Sequence, residues 1–155
     1  MMDYLTLKTI HVLSSVLLVG TGFGTAFYLF FANRSGSVAA IAVVSRLVVK
    51  ADWWFTTPAV VIQPLTGAYL IHLAGYPLDA LWIVASIALY GVAGLCWLPV
   101  VWYQIRMGRM ALAAHEQGTP LPGRYWHYAR RWEMLGYPAF LAMVMVYFLM
   151  VAKPV

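Results

Sequence analysis

The sequence predicts an all-α membrane protein, a bundle of four transmembrane helices. Of 155 residues, 63% are hydrophobic and only 10% are charged. The mean hydropathy is +0.78, and the apolar residues gather into long runs parted by short polar stretches. A soluble domain carries about 25% charged residues, so this much apolar surface on so short a chain calls for a lipid solvent. One domain is expected at this length. The single Cys96 excludes an internal disulfide, and no CxxC pair is present for zinc or thiol exchange. A net charge of +5 would suit nucleic acid. The basic residues lie between the apolar runs, however, where membrane topology accounts for them. The expected partner is therefore membrane lipid, with no nucleic acid.

The first span covers residues 4–31, about 42 Å as a helix and enough to cross a hydrocarbon core of about 30 Å with some tilt. A cleaved signal peptide is not expected there: the head carries Asp3, the run is too long, and no small-x-small site follows closely. Asn33, Arg34, Ser35, Gly36 and Ser37 mark a turn. Val38 to Lys50 then reads as an interfacial helix that runs into the second span, residues 53–74, which contains Pro58 and Pro64. Gly75, Tyr76 and Pro77 end it. The third span is residues 80–104, with Trp97, Trp102 and Tyr103 as an aromatic belt at its exit. The stretch from Arg106 to Glu133 is polar, with a helical continuation to His115 and a turn at Gln117 to Pro120. A basic aromatic segment, Arg124 to Trp132, re-enters the membrane at headgroup level. Residues 134–152 form the fourth span, and Lys153 anchors its end.

Lys and Arg counts set the orientation. The first loop holds Arg34, Arg46 and Lys50; the third holds Arg106, Arg109, Arg124, Arg130 and Arg131; the second holds none. The positive-inside rule places loops one and three in the cytoplasm and both termini outside.

His11 is the leading candidate for chemistry, because an ionisable residue inside a span is a functional-site hypothesis by default. Lys8 shares its helix face and can snorkel to the outer interface, which puts His11 about 4.5 Å deeper. Ser15, Leu18 and Gly22 continue a small, polar stripe facing the bundle. His72 lies near the outer end of the antiparallel second span, so the two imidazoles are expected at similar depth. Imidazoles are common ligands of haem iron, copper and zinc, which makes His11 and His72 candidate metal ligands, with Lys8 and Ser15 beside them. The competing reading of each histidine is a hydrogen bond to a neighbouring helix, or an interfacial position with nothing bound. Gln63 is out of phase with His72 and is expected to bond another helix. Gly20-x-x-x-Gly24 permits close helix packing. No Ser, His and acid trio is spaced for nucleophilic catalysis, and the five acidic residues fall at span ends or in loops.

Three stretches carry a family resemblance: Leu7-Lys8-Thr9-Ile10-His11-Val12; Thr57-Pro58-Ala59-Val60 with Leu65-Thr66-Gly67; and Arg131-Trp132, Pro138 and the closing Val151-Ala152-Lys153-Pro154. On these the chain resembles the four-helix HemJ-type protoporphyrinogen IX oxidases and the related CopD-like copper-resistance domains. It is similar above all to a family of predicted bacterial integral membrane proteins allied to them. The resemblance implies haem b held through His11, redox chemistry on a porphyrin or quinone, and residence in the bacterial inner (plasma) membrane. The third span lacks the family's Lys and His, and Gly136-Tyr137 stands where that family has Asn-Glu; porphyrinogen oxidation itself is therefore not expected. The resulting expectation is a haem-b-binding, redox-active membrane protein. Its alternatives are a copper or small-solute transport protein and a non-catalytic assembly subunit. The sequence leaves homo-oligomerisation open.

Overall fold

The computed structural model describes residues 3–154. Helix α1 is Tyr4–Arg34, α2 Val38–Ala51, α3 Thr57–Ala74, α4 Leu81–Glu116 and α5 Gly123–Ala152. A π-helical turn, Asp52–Thr56, joins α2 to α3 without a break, and no strand occurs among the described residues. α1, α4 and α5 are long and apolar enough to cross a membrane. α3 completes the bundle. It is shorter, and it carries Gln63, Thr66, His72 and two prolines.

Local chemistry fixes the helix ends. The Asp3 carboxylate caps α1 by accepting the Thr6 N–H at 2.7 Å. That bond holds its carboxyl below the usual range, so the cap is intact at neutral pH and fails only as pH falls through that lowered value. The Ser37 hydroxyl caps α2 through the Ala40 N–H. α3 stops at Gly75, whose φ of 67° a side chain would disfavour. The π-turn also has a local cause. Pro58 has no N–H for the Trp54 carbonyl and crowds it; the chain widens, and the Thr57 N–H reaches back five residues to the Asp52 carbonyl.

The polar stretch between the third and fourth spans is mostly helical. α4 continues to Glu116 and α5 begins at Gly123, leaving a short turn between them. α4 and α5 form the most extensive helix pair, α2 packs on α4, and α1 packs on α3. The core lies at the basic end of the bundle, where Leu29, Ile41, Val48, Met107, Tyr125 and Trp132 interlock. Farther from that end, many large apolar side chains, among them Leu13, Val16, Leu95 and Leu141, point outward, as lipid-facing residues do. At the opposite end, Lys153 donates to the Tyr76 hydroxyl at 2.8 Å and lies over the Tyr76 ring, tying α5 to the α3–α4 turn.

Tyr125 is fully buried, and its hydroxyl donates to Asn33 Oδ1 at 2.6 Å. Tyr125→Phe keeps the packing and strands that acceptor. The expected loss is about 1–3 kcal/mol of stability, read as a lowered unfolding midpoint in detergent; an unchanged midpoint contradicts it.

Candidate functional site

Two features stand out inside the bundle: a polar junction between α1 and α3, and a cleft that begins beyond it. At the junction His11 is held at both ring nitrogens. Thr66 gives its hydroxyl proton to the Ile62 carbonyl at 2.7 Å, so its oxygen accepts from His11 Nδ1–H at 2.8 Å. Nε2 is then the lone-pair nitrogen and accepts from Gln63 Nε2 at 3.1 Å. The Gln63 carbonyl in turn accepts from the Ser14 hydroxyl. This assigns a neutral imidazole with every polar atom satisfied. Gly67 completes the fit: a Cβ there would sit 3.2 Å from His11 Cε1, so the ring lies directly on the α3 backbone.

The other expected site residues are not gathered here. His72 is exposed. It lies six positions beyond Thr66 on α3, about 9 Å farther toward the helix end, so the two histidines do not share a level. Lys8 is exposed and lies over the Tyr4 ring at 5.8 Å. Ser15 is buried, but its hydroxyl is spent on the Val12 carbonyl of its own helix. Gln63, as its phase required, bonds another helix.

The cleft has a volume of about 550 Å³ and lies between α1, the π-turn and start of α3, α4 and α5. Phe27, Phe30, Trp97, Trp132 and Phe140 supply much of its wall. Gly22, Gly94 and Gly136 also line it, and a Cβ on any of them would meet nothing within 4 Å. The same is true of Gly20 and Gly24, so the small-residue motif of α1 packs against no other helix among the described residues. Along α1 the lining runs from Leu18 to Phe31. His11 therefore stands about two turns beyond the cleft, on the same helical stripe.

A second device lies at the His11 end of the cleft. Pro64 has no N–H to give the Val60 carbonyl four residues back. Tyr90 of α4 supplies the missing donor, its hydroxyl 2.8 Å from that oxygen. In lipid no water replaces such a bond. Tyr90→Phe should therefore cost about 1–2 kcal/mol in the parent and much less in a Pro64→Ala background, where the helix satisfies its own carbonyl. Equal losses in both backgrounds, measured by denaturation in detergent, contradict this link.

At the basic end the cleft reaches Asp52, Thr56, Gln104 and Glu133. Glu133 is paired with Arg34 at 3.1 Å, the single salt bridge among the described residues. Asp52 is 4% exposed, although its place in the sequence suggested a span end; the packing of α2 on α1 and α4 carries it inside. Its Oδ1 accepts from the Thr56 hydroxyl at 2.9 Å, while its Oδ2 has no donor. Gln104, 5% exposed, has an unpartnered Oε1. The two side chains also wall a smaller recess of about 140 Å³. Sequence reasoning missed Asp52, Gln104 and Tyr90. The only advance signal was Pro64, which announces an orphan carbonyl without naming its donor.

Among the described residues no three His, Cys, Asp or Glu side chains cluster as a metal site. A family model described as "Predicted integral membrane protein (DUF2269)" matches residues 5–154. No curated protein and no solved structure matches the chain.

Proposed function

For a chain that belongs to the DUF2269 family of predicted integral membrane proteins, we propose a role inside the bilayer: it takes an apolar solute of aromatic size from the lipid into the cleft. The observation that carries this reading is the cleft with its bare glycines. Each interior glycine costs a helix about 1 kcal/mol relative to alanine. Gly22, Gly94 and Gly136 return no contact for that cost within the chain, while the basic end of the same bundle is closely packed. Space is kept open where rings can stack on Phe and Trp walls.

Equilibrium dialysis of pyrene against the protein in phosphatidylcholine nanodiscs tests the proposal. The expected result is a saturable component, one site per chain, above linear partition into lipid. Purely linear uptake refutes it and favours a non-catalytic assembly subunit.

Haem b is a second reading, favoured by one observation. Nδ1–H is anchored on Thr66, so Nε2 is the basic nitrogen, the arrangement that metal-bound imidazoles use. As placed, however, the residues do not fit the group. Gln63 occupies Nε2, the Gly67 backbone covers the ring edge, and the imidazole is not on the cleft wall. A Soret band that disappears in His11→Ala would establish this reading; colourless protein after expression with ample haem would exclude it.

The proposal also sets the basic end in the cytoplasm, since the first and third connections carry most of the basic residues. A reporter enzyme active only in the cytoplasm, fused after the C-terminus, should stay silent; an active fusion reverses the orientation.

A further inference from the structure

We infer that the solute is a lipophilic cation whose N–H groups are held by Asp52 and Gln104 at the basic end of the cleft. This rests on the cleft being a solute site and adds the chemical class. Both side chains are more than nine-tenths buried, and each has an oxygen with no donor. Both orphans are acceptors, so what the site lacks is donors. Asp52 also has no cation within ion-pair distance among the described residues, where the single salt bridge joins Arg34 to Glu133.

Charge and donors together separate the ligand classes. A buried carboxylate without a countercharge is costly in an apolar medium, so the group meets a cation or takes up a proton. A neutral hydrocarbon offers neither charge nor donors, and an anionic solute is repelled by the Asp52 carboxylate. An ammonium or amidinium group supplies both the charge and the donors that Asp52 Oδ2 and Gln104 Oε1 need. The aromatic side chains of Phe27, Trp97 and Trp132 along the cleft favour the rest of such a cation. The π-turn fixes the geometry of this end: it begins at Asp52 and ends at Thr56, whose hydroxyl holds the carboxylate.

The experiment compares ethidium, a flat cation with amino N–H groups, with pyrene, a neutral ring system, on the full chain in phosphatidylcholine nanodiscs. Both should bind saturably and compete. Asp52→Asn should weaken ethidium at least about tenfold and leave pyrene within about twofold, pyrene binding showing that the variant is folded. Gln104→Glu adds a second carboxylate and should tighten ethidium without tightening pyrene; this variant decides the matter if Asp52→Asn binds neither probe. Ethidium that binds the parent and Asp52→Asn equally overturns the inference, as does an unchanged affinity in Gln104→Glu. Pyrene binding without ethidium binding in the parent overturns the cation class and leaves the cleft site standing. Binding of neither probe overturns both.

Discussion

Gly94→Phe and Gly136→Phe should each abolish saturable solute uptake, lowering affinity at least about tenfold, while the protein remains folded. The two glycines lie on different helices, α4 and α5, and both line the cleft. A Cβ on either meets nothing within 4 Å, so a benzyl group has room to enter and fill the volume the solute needs. Phenylalanine also has the better helix propensity, so stability should hold or rise. Gly20→Phe is the control: Gly20 has the same open surroundings but does not line the cleft, and uptake should be unchanged. Dialysis with pyrene reads all three variants. Undiminished uptake in Gly94→Phe and Gly136→Phe places any solute elsewhere.

The second large effect is on the junction. Gln63→Leu removes the donor to His11 Nε2 and the acceptor for Ser14 at once. The α1–α3 contact should weaken by about 2 kcal/mol, seen as a lower unfolding midpoint. His11→Leu should cost a similar amount, since Gln63 then loses a partner. The double variant should recover most of either loss, because no polar atom is left stranded: Thr66 keeps the Ile62 carbonyl and Ser14 keeps the carbonyl at position 11. Additive losses in the double variant would contradict the pairing and leave His11 with a role outside helix packing.

Much of the architecture is legible in the sequence because apolar runs and their breakers are local signals. Asp3, Ser37 and Gly75 stand where α1 and α2 begin and α3 ends, and each acts within a few residues of itself. Gln63 could be assigned to a neighbouring helix because phase along one helix is also local. The candidate site is less legible because its partnerships span helices. Thr66 reads as an ordinary helix hydroxyl until its proton is found on Ile62, leaving the oxygen for His11. Spans one and two paired end to end would put His72 level with His11. The register is set instead by Ser14 meeting Gln63 and His11 meeting Thr66, which leaves His72 beyond the junction. Asp52 looked like an interfacial acid because no sequence pattern reports that α2 packs against α1 and α4. The glycines show the converse case. Gly20-x-x-x-Gly24 is a packing motif by spacing, yet no helix of the described chain approaches it.

Photolabelling tests the solute site most directly. An apolar diazirine in phosphatidylcholine nanodiscs, activated with and without excess pyrene, marks whatever it touches, and peptide mapping reports where. A cleft that takes solute predicts label on Phe27, Trp97 and Phe140 that pyrene removes, with label on the outward-facing Leu13, Val16 and Leu141 that pyrene leaves alone. Label confined to the outward-facing residues, indifferent to pyrene, would contradict it.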